Sequence, residues 1–351
     1  MNRAGVILLI PAFSLFAGCE NEIKYDYSYE SQQLMVTGIL SQVSKDHVVY
    51  VSLSSEGTVV GVSDATVKCY VNGKLESVSS AESHDRGKST KYHQLPLSFS
   101  AHFESGDTVS LELEAEEGKY HAITRQQAVP FPPVIDNVDT IHTRTSHGGT
   151  AEEVMRFSVQ LQDRAGEDNW YTLFIERSVS GLFAFEDGSP DNYVEIVTTP
   201  LISNPSLADP VLLDGNMALA NSNMDVVDFM DYLGDGSFAV FSDELFRDGK
   251  AMLKFDSAMQ YYYGGMVDLE MLYNYVSGQG LEVIWPPKEV ANKVRLRIQS
   301  CSREAYNYFR ALRTVRSNGY NPAILEPIVI PDNIEGGIGF VGILSEGLPK
   351  L

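Results

Sequence analysis

Period-two alternation of apolar and polar residues runs through this chain, and it commits the chain to β-structure. Leu111, Leu113 and Ala115 alternate with Glu112, Glu114 and Glu116. An extended backbone therefore turns the apolar side chains to one face and the carboxylates to the other. Similar runs occur at Leu34–Leu40, at His47–Ser54 (through Val49, Val51 and Leu53), and at Ala65–Val71. Leu95–Phe103, Thr108–Ala115 and Tyr120–Ala128 complete the set. Asn72-Gly73 directly after Val71 reaches positive φ cheaply, which is what a two-residue hairpin turn needs. About six or seven short strands in roughly 100 residues predict an immunoglobulin-like or fibronectin-III-like sandwich over 33–128.

Val129–Val134 holds Pro130, Pro132 and Pro133. Proline has no amide donor for a sheet interior, so 129–134 reads as a spacer between domains. The remainder, 135–351, predicts a larger β-rich domain, with core strands at Met155–Leu161, Trp170–Glu176, Leu281–Trp285, Lys293–Gln299 and Gly337–Leu344. Residues 181–250, rich in Asp, Asn, Ser and Gly, read as a loop insertion on it. One helix is expected near the C-terminus, over 302–317. Ser302 caps it, Glu304 suits its positive end, and Ala305, Phe309 and Leu312 make its apolar stripe. Arg310, Arg313 and Arg316 read as a solvated row, and Asn318-Gly319 stops the helix. Gly336-Gly337-Ile338-Gly339 has no helix after it for a phosphate, and predicts a bend where close backbone approach excludes side chains. The fold class is thus mainly β: two β-sandwich-like domains and one helix near the C-terminus.

Arg3 precedes an apolar run, Gly5–Phe16, that ends in Ala17-Gly18-Cys19. The run is shorter than the roughly 20 residues that span a bilayer, and is signal-peptide length. Small residues directly before a cysteine predict a lipoprotein signal over 1–18, cleavage before Cys19, and acyl chains on that cysteine as a membrane anchor. Residues 19–32, acidic and poor in apolar side chains, read as a flexible tether. With 47 acidic against 26 basic residues, a net charge of −21 excludes nucleic acid as a partner. The other cysteines, Cys69 and Cys301, read as buried free thiols.

No linear catalytic motif is complete: there is no Gly-x-Ser-x-Gly elbow, His-Glu-x-x-His helix, Cys-x-x-Cys pair or phosphate loop. No cofactor is implied. The 7 histidines read as surface residues. Asp225, Asp228, Asp231 and Asp235 form the candidate cation loop, since calcium takes six to eight oxygens, although Phe229, Met230, Tyr232 and Leu233 between them suit an amphipathic element instead. Tyr261-Tyr262-Tyr263-Gly264-Gly265-Met266, followed by Tyr273 and Tyr275, is the candidate ligand or partner surface. Alternation exposes Tyr261 and Tyr263, and exposed tyrosines stack on sugars or anchor proteins.

Three segments carry a family resemblance. They are Phe241-Ser242-Asp243-Glu244-Leu245-Phe246 with Gly249-Lys250, Ser302-Arg303-Glu304-Ala305-Tyr306-Asn307-Tyr308, and Glu326-Pro327-Ile328-Val329-Ile330-Pro331-Asp332-Asn333-Ile334-Glu335-Gly336-Gly337-Ile338-Gly339-Phe340. With Val36-Thr37-Gly38 and Ala65-Thr66-Val67, the chain resembles the domain-of-unknown-function 4249 family of Bacteroidota lipoproteins. Asp332-Asn333 stands where that family more often has Ser-Asn. The resemblance implies a surface-facing outer-membrane lipoprotein encoded near TonB-dependent receptors. The expected function is therefore a non-enzymatic binding or accessory component of a TonB-dependent uptake system, with a small-molecule or glycan ligand left open. A structural or adhesive surface module is the alternative. A carboxylate-based hydrolase is a further one, because paired carboxylates from distant strands leave no linear motif.

Overall fold

The alternating segments are strands in the computed structural model, which describes residues 32–55, 58–83, 94–147, 150–164, 166–184, 193–198, 201–203, 205–207, 209–214, 238–258, 266–316 and 328–347. Its first half contains Leu34–Ser41 (β1), Asp46–Ser55 (β2), Thr58–Val60 (β3), Asp64–Val71 (β4), Lys74–Glu82 (β5), Leu95–Ser100 (β6), Thr108–Ala115 (β7), Tyr120–Thr124 (β8) and Gln127–Ala128 (β9). Then come Val134–His147 (β10), Thr150–Gln162 (β11), Trp170–Ala184 (β12), Tyr193–Val197 (β13), Leu201–Ser203 (β14), Pro205–Leu207 (β15), Pro210–Asp214 (α1), Phe238–Ser242 (β16) and Lys250–Ala258 (β17). Met266–Gly278 (α2), Glu289–Cys301 (β18), Arg303–Arg316 (α3), Ile334–Glu335 (β19) and Gly337–Gly347 (β20) complete the order. The fold is mainly β and sandwich-like, as the alternation requires.

In β7, Val109, Leu111, Leu113 and Ala115 are all buried, and the residues between them are not. The β4–β5 hairpin turns on Asn72 and Gly73, both at positive φ (52° and 73°) as a primed turn demands. One layer of the first sandwich is β19-β8-β7-β4-β5, and β1, β2, β3 and β6 form the facing layer. Their shared core holds Leu34, Val36, Val51, Val67, Leu97, Leu111 and Leu113. His47 also lies inside, against the reading of the histidines as surface residues. Its ring stacks on Phe103 at 5.0 Å and its Nε2 lies 3.2 Å from the Ala101 carbonyl oxygen. Cys69 and Cys301 are buried and free, as read.

The division into 33–128, a 129–134 linker and 135–351 needs correction. Residues 33–351 form one compact unit, and the first sandwich does not close within its own segment. From Gly337 to Leu344, β20 lies parallel to β1, pairing Leu34 with Gly337 through Ser41 with Leu344. β19 adds to β8. Leu344 faces Cys301 as well, and from there to Gly347 β20 pairs antiparallel with β18. One ten-stranded sheet, β13-β12-β18-β20-β1-β2-β3 with β6, β14 and β16 beside it, therefore serves both halves. A parallel pair needs a long crossover, and here everything from β2 to β19 is the crossover. The glycine run behaves as read: a Cβ on Gly337 or Gly339 would collide with the Leu34 or Val36 carbonyl oxygen of β1.

In the second half the sheet is covered on both faces around the middle of β12. Leu173 and Ile175 of β12 face the β10-β11-β17-β15 layer, packing with Phe157, Leu253 and Phe255. Phe174, on the opposite face, joins Phe309 of α3 and Phe340 of β20. α3 starts as expected, the Ala305 amide donating to Ser302 Oγ at 3.1 Å, and Tyr308 stacks on Phe340 at 4.2 Å. Its arginine row is not wholly solvated, however, because Arg313 is buried. The described parts of 181–250 are not a loop appended to the domain: β13, β14 and β16 pair with β12, and β15 with β17. Nor is Leu281–Trp285 a core strand. It is an exposed turn between α2 and β18, and five residues with Glu282 as their only polar side chain, followed by Pro286-Pro287, show no period that separates the two readings.

Candidate functional site

Cys19, Asp225, Asp228, Asp231, Asp235, Tyr261 and Tyr263 lie outside the described residues. The tyrosines that follow them are described, and they sit on a helix the sequence reading did not expect. Leu272 and Val276, four apart on α2, bury against Val179, Phe183 and Ile196. Gly181 permits that approach, because a Cβ there would meet Leu272 and Phe183. Tyr273, one position on, is turned outward and 52 % exposed. Trp285, 40 % exposed, meets it edge-to-face at 5.1 Å and backs onto buried Phe183 at 5.9 Å.

The turn carrying Trp285 is fastened to β12, the Ile284 amide donating to the Ala184 carbonyl and the Lys288 amide to that of Leu182. Lys288 also places its Nζ 4.5 Å from the ring centre of Tyr193 on β13. Tyr193, Tyr273, Ile284 and Trp285 thus form one exposed aromatic and apolar patch on three segments. Aromatic anchors of this kind dominate binding energy where proteins meet partners. The sequence signal for Trp285 was present, but it was spent on a strand.

A second feature lies where the halves meet. Trp170 pairs with Cys301 in the β12–β18 ladder, so the loop before β12 and the start of α3 leave the same end of the sheet. With the 125–131 segment of the first half they enclose a cleft of about 530 Å³. Phe131 of the linker lies under the Arg164 guanidinium, 4.0 Å from ring centre. A polar knot fixes the loop behind this wall. Asn169 donates its side-chain amide to Asp163 at 2.6 Å and to Asp243 at 3.0 Å, and its backbone amide to Asp243 at 2.8 Å. Asp243, in the first segment of the family resemblance, is therefore a loop anchor.

Burial, and then the charge of Asp243, holds the Asp163 carboxyl above the usual carboxylate range. A raised folded-state pKa gives a contribution that is fully present below the unfolded value and lost as pH rises through the folded one. Above the folded-state value the Asp163 charge therefore costs stability. Asp163→Asn should raise the melting temperature at pH 7–8 and lose that advantage as pH approaches 4. A thermal-shift series across this range in which the variant is less stable at neutral pH would contradict it.

Glu112, Glu114 and His121 bring three donor atoms within 4.8 Å of one another across β7 and β8. Lys68 Nζ already sits 3.0 Å from both carboxylates, Tyr70 donates to Glu112 at 2.8 Å, and His121 Nε2 is 3.3 Å away. These contacts, the Lys68 hydrogen bond first, pull the Glu112 carboxyl down to about 2. The ammonium already engages both carboxylates, so the cluster is arranged as a cross-strand ion network.

A family model described as "Domain of unknown function (DUF4249)" matches residues 20–347, nearly the whole chain. No curated protein matches it.

Proposed function

The chain belongs to the DUF4249 family, and on that premise we propose that it is a cell-envelope lipoprotein, anchored to the outer membrane through Cys19, that binds beside a TonB-dependent transporter and performs no catalysis of its own. The observation that carries the binding role is the exposed patch of Tyr193, Tyr273, Ile284 and Trp285. Trp285 rests on Phe183 and meets Tyr273, which the packed α2 helix positions, so both rings lose little freedom when covered. The transporter as partner follows from the family resemblance. The anchor follows from the sequence before Cys19, and it confines the body to a thin shell at the membrane, where modest contacts become effectively intramolecular.

The test is detergent extraction and co-purification from cells that also express the neighbouring transporter genes. Tyr273→Ala with Ile284→Ser, both at exposed positions, should cut recovery of the partner at least tenfold, as loss of about 1.4 kcal/mol or more from a binding hot spot implies. The melting temperature should stay nearly unchanged. Cys19→Ala should release the protein from the membrane fraction and lower co-purification by removing the tether. Full partner recovery in both variants would sink the reading.

A further inference from the structure

We propose that the cleft between the two halves binds a small zwitterion: an amino acid or short peptide with free amino and carboxyl ends. This rests on the binding role above and names the ligand class. The cleft holds about 530 Å³, within the roughly 300–1,000 Å³ range of sites that enclose small molecules. It belongs to neither half alone. Residues 167–170 and 300–304 come from the end of the shared sheet, and residues 125–131 from the first half and the linker.

Its charges choose the ligand. The sheet-end wall carries Glu167, Asp168 and Glu304 with Arg303, and the facing segment carries Arg125. A neutral sugar would desolvate both signs without an ionic partner for either, which is costly. A simple anion would meet three carboxylates. A simple amine would give neither guanidinium a ligand carboxylate, Arg125 keeping only its 4.0 Å contact with Glu335. A molecule with an ammonium at one end and a carboxylate at the other matches Glu167 and Asp168 with the first and Arg125 and Arg303 with the second. Charge-assisted hydrogen bonds of this type are about twice as strong as neutral ones.

Phe131 and Trp170 supply apolar surface for a side chain between those ends. The walls are also set in advance. Asp163 and Asp243 hold the loop through Asn169, and Arg164 on Phe131 ties that loop to the linker, so little ordering cost falls on binding.

The sequence has 2 tryptophans, Trp170 and Trp285, so Trp285→Phe leaves Trp170 as a single reporter in the cleft. The experiment titrates the full mature chain, in detergent, with the tripeptide Ala-Phe-Ala in four forms: free, N-acetylated, C-amidated, and blocked at both ends. Trp170 emission follows each titration, and calorimetry on the unaltered chain repeats it. The free tripeptide should bind saturably. Either block should weaken it roughly tenfold, the worth of one hydrogen bond to a charged group. Arg125→Ala with Arg303→Ala should bind the free and amidated forms alike, and Glu167→Gln with Asp168→Asn the free and acetylated forms alike. Absence of saturable binding at millimolar concentration, or equal affinity for all four forms, overturns the assignment. The Tyr273→Ala, Ile284→Ser variant should bind the tripeptide normally. Lost co-purification with retained peptide binding would therefore locate a failure in the docking reading, and the converse would locate it in this cleft.

Discussion

Deleting residues 334–351 should unfold the amino-terminal sandwich, although its nearest deleted residue lies more than 200 positions beyond Ala128. The deletion removes the strand that pairs with β1 over its whole length, from Leu34 to Ser41. It also removes four buried side chains, Val341 and Ile343 from the sandwich's own core and Phe340 and Leu344 from the adjoining core under α3. At about 1.5–3 kcal/mol for each large apolar side chain buried, the four represent roughly 6–12 kcal/mol. That is comparable to the whole net stability of a domain, about 5–15 kcal/mol. β1 would also expose a row of unpaired amides and carbonyls on what is now an interior edge.

A fragment covering 33–128 should fail for the same reason, giving no cooperative transition by circular dichroism or calorimetry. Gly339→Ala is the single-residue counterpart. The backbone there has φ of 118°, and a Cβ would drive into the Val36 carbonyl, so strain of about 1–3 kcal/mol adds to the parting of β1 from β20. A 33–128 fragment with a sharp, reversible transition would show that β1 and β2 need no partner from the far end.

What the sequence made legible was local. The alternation in β7, the Asn72-Gly73 turn, the Ser302 cap and the close backbone approach at Gly337 and Gly339 each depend on residues within a few positions of one another. The structure has them where the pattern put them. The pairing of β1 with β20 depends on no local property, since a parallel partner can lie anywhere along the chain. Three prolines at 130–133 looked like a domain boundary because they do interrupt pairing, yet the shared sheet bypasses them through β20. Trp285 was misplaced for a different reason. Short apolar runs suit a strand, a buried turn or a patch on the surface, and burial is decided by what packs over them. The cleft was invisible because its walls, 125–131, 167–170 and 300–304, are contiguous only once β12 and β18 are paired. Two of the three segments that carry the family resemblance still touch it, one through Arg303 and Glu304 and the other through Asn333. The third holds its loop through Asp243.

Replacing Arg297 by Ala should destabilise the protein by about 3–5 kcal/mol, the usual result of stranding a buried charge. Arg295 and Arg297 alternate with Val294, Leu296 and Ile298, so the sequence alone places both on a solvent face. The end of β20 changes that by delivering Glu346, whose side chain is only 4 % exposed. Arg297 donates to Glu346 Oε2 from Nη2 at 2.8 Å and from Nε at 3.1 Å, and to Glu176 on β12 at 2.7 Å. Arg295, itself 61 % exposed, donates to the other Glu346 oxygen at 2.7 Å. Without Arg297, Glu346 keeps only that one solvated partner, and Glu176 loses its contact as well. At about 2 °C per kcal/mol for a chain of this size, the melting temperature should fall by roughly 6–10 °C. Arg295→Ala should cost far less, about 1 kcal/mol, because an exposed guanidinium is mostly paid for by water. The decisive comparison is the double change Arg297→Met with Glu346→Leu. It removes both charges and fills the same space, so it should recover most of the lost stability. If the double variant is as unstable as Arg297→Ala, the loss comes from packing and not from a stranded carboxylate. If it recovers, the β12–β18–β20 network is an electrostatic clasp on the strand that joins the halves. Peptide affinity in the cleft should then fall in Arg297→Ala and return in the double variant, since that clasp holds the paired strand ends from which the cleft's wall is built.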